Sequence, residues 1–75
     1  MTKIEIRNQI RRLRFEHDEM TQQELANRAG CTRQTIIALE ASKYVPSITL
    51  AFRIAQVFGV KLEDVFQYEG LKEDK

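Results

Sequence analysis

The sequence predicts one all-α domain built from five short helices, and it leaves open a short two-stranded ribbon formed by the termini. Three observations support this fold class. The chain has 75 residues, which is the length of a single domain. Apolar residues recur at helical spacing between residues that typically begin or end helices. Three Gly and one Pro leave little of the chain suited to hairpins or long loops.

The N-terminal segment combines an alternating stretch with a first helix. Residues 3–6 alternate polar and apolar side chains, as in a half-buried strand. From Asn8 to about Glu16, Ile6, Ile10 and Leu13 follow the spacing of one helix face. Residues 17–20 then predict a polar connection.

The next two helices are joined by a very short turn. Thr21 and Glu24 have the spacing of a capping box, and Gly30 can end the helix that they begin. Thr32 can cap a third helix that runs from about Arg33 to Ala41. A turn of about three or four residues containing Gly is typical of a helix-turn-helix, here predicted over about residues 21–41.

The remaining segments complete the predicted domain of residues 1–70. Residues 42–46 predict a loop, and Ser47 can cap a fourth helix that ends at Phe58 before Gly59. This helix is apolar on most sides and is predicted to lie at the centre of the core through Ile48, Leu50, Ala51, Ile54, Ala55, Val57 and Phe58. Residues 62–66 predict a further short helix, and 66–68 alternate like a strand. Residues 71–75 predict a frayed tail.

The composition excludes several classes of protein. No apolar run approaches the ~20 residues needed to span a bilayer, and residues 1–10 lack the apolar core of a signal peptide. The lone Cys31 cannot form an internal disulfide, so we expect a cytoplasmic protein. The net charge is +1, with eight Lys/Arg and six Asp/Glu in residues 1–44 and four and five in the remainder. This weak asymmetry fits either a binder of few phosphates or an ordinary solvated surface.

The third helix begins with residues that a positive helix N-terminus does not favour. Arg33 and Gln34 stand where Asp or Glu would be stabilising. With Ile36 and Leu39 turned inward, one continuous outward face holds Arg33, Gln34, Ile37 and Ala38. Arg reads guanine, Gln reads adenine, and an apolar side chain can contact a thymine methyl group. This face is therefore predicted to read bases in double-stranded DNA, although Arg33 and Gln34 could also be plain surface residues.

Several polar residues flank this face and could contact DNA phosphates. Gln22 lies at the start of the second helix, whose free N–H groups can meet a phosphate. Lys43 and Tyr44 follow the third helix and could hold a phosphate on its other side. Thr32, the predicted N-cap of the third helix, is also predicted to contact a phosphate, and Thr35 could contact a phosphate or only cap the helix locally.

Residues 21–47, TQQELANRAGCTRQTIIALEASKYVPS, closely resemble the helix-turn-helix of the phage-repressor/Cro-like (Xre) family. Counted from Gln22, the resemblance includes Ala26 at the fifth position, Gly30 at the ninth and Ile36 at the fifteenth. Residues 48–66, ITLAFRIAQVFGVKLEDVF, resemble the last two helices of the same domain. Two departures are a first connection, FEHDEM, that is one residue longer and Ser42 in place of a common Gly.

The resemblance implies a lambda-repressor-like five-helix fold and a transcriptional regulator, most simply a repressor. Small members bind palindromic operators as homodimers, and in some of them the terminal strands pair. An Arg of the first helix and a Glu of the third commonly form a pair, which here would be Arg14 and Glu40. As a partly exposed pair, it would contribute about 1 kcal/mol or less.

Dimer contacts are predicted from the apolar C-terminal residues Val65, Phe66, Tyr68 and Leu71. The alternative is an antitoxin or another protein-interaction module that reuses the fold. An enzyme is not expected, because no nucleophile–base set or phosphate-binding Gly loop is evident. No cofactor and no ligand domain are expected, and His17 beside Asp18 lacks the further ligands of a metal site.

Overall fold

Five helices and a two-stranded ribbon form the structure, a computed structural model that describes residues 2–73 and the side chains of residues 6–68. In chain order the elements are β1 (Thr2–Asn8), α1 (Ile10–Glu16), α2 (Gln22–Ala29), α3 (Arg33–Glu40), α4 (Ile48–Phe58), α5 (Leu62–Val65) and β2 (Phe66–Glu73). The predicted fold class is confirmed, including the ribbon between the terminal segments.

Asn8 is the last residue of β1 and contacts two other elements, and α1 begins at Ile10 rather than at Asn8. The Asn8 side chain donates a hydrogen bond to the carbonyl oxygen of Leu39 at 2.7 Å. Its Oδ1 accepts a hydrogen bond from the Ile10 N–H at 3.2 Å. Ile6 consequently lies in β1, and its predicted place on the face of the first helix was wrong.

The predicted N-caps of three helices are confirmed. Thr21 Oγ1 accepts from the Glu24 N–H at 3.0 Å, Thr32 Oγ1 accepts from the Thr35 N–H at 3.2 Å, and Ser47 Oγ accepts from the Leu50 N–H at 3.1 Å. The Glu24 carboxylate instead contacts Arg28 one turn later, at 2.6 Å. Local side-chain chemistry therefore fixes where α2, α3 and α4 begin.

The core lies between α4 and the four other helices. Its largest fully buried side chains are Ile10, Leu25, Ile36, Leu39, Ile54 and Val65. Ile48 was predicted to join this core, but 71% of its surface is exposed. It lies two residues, or roughly 200° around the helix, from the buried Leu50.

The longest helix, α4, has 11 residues, and no helix within residues 2–73 is long and apolar enough to cross a bilayer.

The ribbon is longer at both ends than the alternating residues indicated. β1 and β2 pair in antiparallel register from Thr2 with Glu73 to Asn8 with Phe66, and an irregularity lies between Glu5 and Ile6. Residues 71–73 therefore belong to β2, and their assignment to a frayed tail was wrong, because cross-strand pairing satisfies their backbone. Residues 74 and 75 of that predicted tail lie outside the described residues.

Candidate nucleic-acid interface

Helices α2 and α3 are joined by residues 30–32, which reverse the chain over a very short distance. Gly30 has a φ of 77°, a left-handed backbone conformation that residues other than glycine rarely adopt. The N–H groups of Gly30 and Cys31 both donate to the Ala26 carbonyl oxygen at 2.9 Å. A Cβ atom at Gly30 would lie 3.1 Å from Nη1 of Arg53. Glycine is therefore favoured here by the left-handed backbone, and a larger residue would also have to displace the end of the Arg53 side chain by a few tenths of an ångström.

Helix α3 presents the predicted base-reading residues away from the core. Ile36 and Leu39 are 0% and 1% exposed and face inward. Arg33 and Gln34 are exposed, Ile37 is 43% exposed, and Ala38 is partly buried. The structure therefore brings Arg33, Gln34, Ile37 and Ala38 to one outward side of α3.

The N-terminus of α3 carries positive charge without a local counter-charge. Its first turn contains no acidic residue. Within residues 6–68, the Arg33 side chain makes no hydrogen bond or ion pair. The helix dipole places further partial positive charge at this end. An anion that approaches here would meet both the guanidinium and the helix terminus.

Arg14 and Glu40 form a largely buried pair behind the interface. Arg14 Nε donates to Glu40 Oε2 at 2.6 Å, and Arg14 Nη2 donates to Oε1 at 3.1 Å. Their side chains are only 16% and 12% exposed. Gln22 Nε2 also donates to Glu40 Oε1, at 3.2 Å. Because a side-chain amide has two N–H donors, this contact leaves Gln22 one donor for another acceptor.

The two threonines at the start of α3 contact each other. Their hydroxyl oxygens lie 3.0 Å apart, and Thr32 Oγ1 also accepts from the Thr35 N–H. The structure thus places Thr32 and Thr35 in local capping contacts, which was one of the two alternatives for Thr35. A phosphate contact by either residue stays a prediction.

Helix α3 ends in a Schellman motif that leads to Lys43 and Tyr44. The Lys43 N–H donates to the Ala38 carbonyl oxygen and the Ser42 N–H donates to that of Leu39, both at 2.9 Å. Ser42 adopts a φ of 58°, the left-handed conformation that Gly usually supplies here. Lys43 is exposed and Tyr44 is 47% exposed, so both side chains are accessible beside the end of α3.

A groove between α1 and the starts of α2 and α3 adds a residue that the sequence analysis did not select. Its lining includes Arg11 together with Gln22 and Arg33, and Glu19 is the acidic residue that lines it. Arg11 lies three residues before Arg14, on a neighbouring position of α1. The three-residue spacing between Arg11 and Arg14 could have indicated this position in the sequence. It places Arg11 next to the Arg14–Glu40 pair, to which Gln22 is hydrogen-bonded.

The predicted dimer residues do not share one exposed surface. Val65 is 0% exposed and belongs to the monomer core, so its assignment to a dimer interface was wrong. The Val65 side chain packs in the same hydrophobic cluster as Ile10, and its carbonyl oxygen accepts from the Gln9 N–H at 2.8 Å. Phe66 is partly buried against the core, and Tyr68 is 68% exposed. The side chain of Leu71 lies outside the described residues.

Cys31 is a partly buried residue of the turn, packed against the core. Burial raises the pKa of the Cys31 thiol above its ordinary value, which keeps the thiol protonated at neutral pH.

Within the described residues, no group of three or more His, Cys, Asp or Glu side chains could hold a metal ion.

Comparisons with known proteins agree with this arrangement. The sequence model of a family described as helix-turn-helix matches residues 10–65. An uncharacterized HTH-type transcriptional regulator of Methanocaldococcus jannaschii is 52% identical over 64 residues, which cover 85% of this chain and 96% of the relative. Another, of Archaeoglobus fulgidus, is 47% identical over 64 residues, or 85% and 89% of the two chains. The uncharacterized HTH-type transcriptional regulator YgzD of Bacillus subtilis is 41% identical over 64 residues, or 85% and 96%.

Proposed function

The chain belongs to the helix-turn-helix family of transcriptional regulators, and on that premise we propose that it binds a palindromic DNA operator as a homodimer and represses transcription. The observation that carries the proposal is the exposed, acid-free N-terminal end of α3 with Arg33 at its tip. In helix-turn-helix proteins the N-terminal residues of the second helix contact base edges in the major groove.

The four outward residues of α3 are assigned to base reading. Arg33 has the donors for a bidentate contact with guanine, and Gln34 can pair with the donor and acceptor of adenine. Ile37 is accessible for a thymine methyl group, and the small Ala38 allows the helix to come close to the groove. The DNA then supplies the negative charge that the first turn of α3 lacks.

Phosphate contacts are assigned to both sides of α3. Gln22 and the free N–H groups of α2 lie on one side, together with Arg11 in the same groove. Lys43 and Tyr44 lie on the other side, at the end of α3. Thr32 and Thr35 can add contacts at the helix start. These contacts would fix the register of the protein on the duplex without selecting its sequence.

A homodimer follows from the short reading surface of a single copy. One α3 helix has eight residues and would contact only a few base pairs, whereas two copies could read half-sites about 34 Å apart on one face of the duplex. A protein bound across a promoter excludes other proteins from it, which supports repression.

The test is a selection from random duplex DNA with the purified protein. Expected is a two-fold symmetric motif with half-sites roughly 10 base pairs apart, centre to centre. The Arg33→Ala/Gln34→Ala double variant is the matched control, and it should enrich no such motif. If the wild type enriches no motif either, the proposal is wrong. A protein-interaction role, as in an antitoxin, would then be tested by a pull-down with candidate partners.

A further inference from the structure

Glu19 places a negative charge in the groove between α1 and the starts of α2 and α3. Four arginines line the same groove: Arg11, Arg12, Arg14 and Arg33. Two of them are paired with acidic residues of the helices. Arg14 contacts Glu40 at 2.6 Å, where both side chains are largely buried. Arg12 contacts Glu16 at 3.7 Å. Glu19 is therefore not needed as the partner of either.

Glu19 also leaves the other two guanidinium groups of the groove unpaired. Within residues 6–68, neither Arg11 nor Arg33 forms a hydrogen bond or an ion pair through its side chain, and the Glu19 carboxylate forms none either. All three residues are exposed. A phosphate that enters the groove would thus meet two unpaired positive charges and one unpaired negative charge.

The backbone around Glu19 is held by hydrogen bonds on both sides. The Glu19 N–H donates to the Phe15 carbonyl oxygen at 3.2 Å, and the Met20 N–H donates to that of Arg14 at 2.9 Å. The Arg14 guanidinium donates to the Met20 carbonyl oxygen at 2.8 Å. Met20 itself is 4% exposed and belongs to the core. The carboxylate can therefore move through its own side-chain torsions, while the turn that carries it stays in place.

The conformation of Glu19 is a second, independent observation. Asp18 and Glu19 have φ values of 59° and 53°, so two successive residues lie in the left-handed region. Glycine adopts this conformation without steric cost, and Asp tolerates it better than most residues, whereas Glu has no such advantage. The chain thus carries a long acidic side chain where the backbone favours another residue, and such strained positions cluster at functional sites.

We propose that Glu19 limits the affinity of this protein for the sugar–phosphate backbone of DNA. The inference rests on the proposed function, since it concerns the groove to which phosphate contacts are assigned. Phosphate attraction supplies nearly all of the binding to unrelated DNA, and a like charge at the contact opposes that attraction. Glu19 therefore weakens binding to every duplex. It leaves the base preferences of α3 unchanged, because phosphate contacts carry no sequence information.

The test compares Glu19→Gln with Asp18→Asn in titrations of the selected operator and of an unrelated duplex of equal length. Both changes remove one negative charge from the same left-handed turn, but Asp18 does not line the groove. At about 0.1 M salt, where charges act over about 10 Å, we expect Glu19→Gln to bind both duplexes about threefold or more tightly than the wild type. Asp18→Asn should change binding clearly less. Circular dichroism verifies that both variants are folded.

Elution from phosphocellulose, whose phosphate groups carry no bases, gives a measurement that needs no operator. Glu19→Gln should elute at higher salt than the wild type, and Asp18→Asn should elute close to it. Equal gains in the two variants, or no gain in Glu19→Gln, would overturn the proposal. Weaker operator binding by Glu19→Gln would also overturn it, by assigning the carboxylate a favourable contact. If the wild type binds no duplex but Glu19→Gln alone is retained more strongly on phosphocellulose, the role of Glu19 stands and the proposed function fails.

Discussion

The Arg14 guanidinium joins α1 to Glu40, the last residue of α3, and at the same time holds the connection that precedes α2. Two hydrogen bonds of 2.6 and 3.1 Å reach the Glu40 carboxylate, and a third, of 2.8 Å, reaches the Met20 carbonyl oxygen. This arrangement fixes the C-terminal end of α3 relative to α1 and to the connection that precedes α2. Because the two side chains are only 16% and 12% exposed, removing one partner should cost more than the loss of a partly exposed pair.

Glu40→Ala should lower the free energy of unfolding by about 2–4 kcal/mol, because it leaves the Arg14 charge largely buried and unpaired. Urea denaturation followed by circular dichroism measures the change. Arg28→Ala is the matched control, since it removes an exposed pair with Glu24 and should cost about 0.5 kcal/mol or less. Equal losses in the two variants would contradict the buried-pair interpretation.

Ser42→Gly should raise the free energy of unfolding by about 0.5–1 kcal/mol. Serine pays for a left-handed backbone at φ 58°, which glycine adopts without steric cost. The same change at the preceding residue, Ala41→Gly, should destabilise the protein, because Ala41 has a φ of −84°. Thermal and urea unfolding of both variants test the difference in sign, and stabilisation by both or neither would refute this account.

Arg33→Ala should weaken binding to the selected operator by about 1–3 kcal/mol and relax the preference at one base position of each half-site. The physical reason is the loss of a bidentate contact with a base edge. Binding to a panel of single-base operator variants measures both effects. Arg28→Ala removes an exposed arginine outside the reading face and should leave every base preference intact. An unchanged preference pattern in Arg33→Ala would exclude this residue from base reading.

Lys43→Ala should weaken binding to operator and unrelated duplexes about equally, since a phosphate contact carries no sequence information. It should also reduce the slope of log K against log salt concentration by about 1. Gln22→Ala should weaken binding to both duplexes and leave the slope unchanged, because Gln22 carries no charge. The exposed Lys61, at the start of α5, supplies the control variant Lys61→Ala. A sequence-dependent loss in Lys43→Ala would assign Lys43 to base reading instead.

The parts of the fold that the sequence predicted correctly depend on local chemistry. Thr21, Thr32 and Ser47 act within three residues of their own positions, and Gly30 and Gly59 end helices through their own φ angles. Helix boundaries and the outward side of α3 follow from such signals. The four base-reading assignments themselves stay predictions that the experiments above test.

The parts that the sequence did not predict depend on contacts between distant residues. Val65 is buried because the short helix α5 meets the start of α1 through Gln9. Residues 71–73 are a strand because β1 lies beside them, and their own polar sequence carries no such signal. Ile48 is exposed because the side of α4 that carries Leu50 and Ile54 packs against the other helices, and a helix that is apolar on most sides does not indicate which side will be buried.

The ribbon has a consequence for the order in which the chain folds during translation. Its pairs join residues 58 positions apart, for Asn8 and Phe66, to 71 positions apart, for Thr2 and Glu73. A nascent chain therefore carries β1 without a partner until β2 has left the ribosome. Helix α2 contacts α3 and α4 at shorter sequence separations, so we expect these three helices to pack first and the ribbon to close last. Until that closure, the backbone N–H and C=O groups that β1 uses in the ribbon have no partner strand.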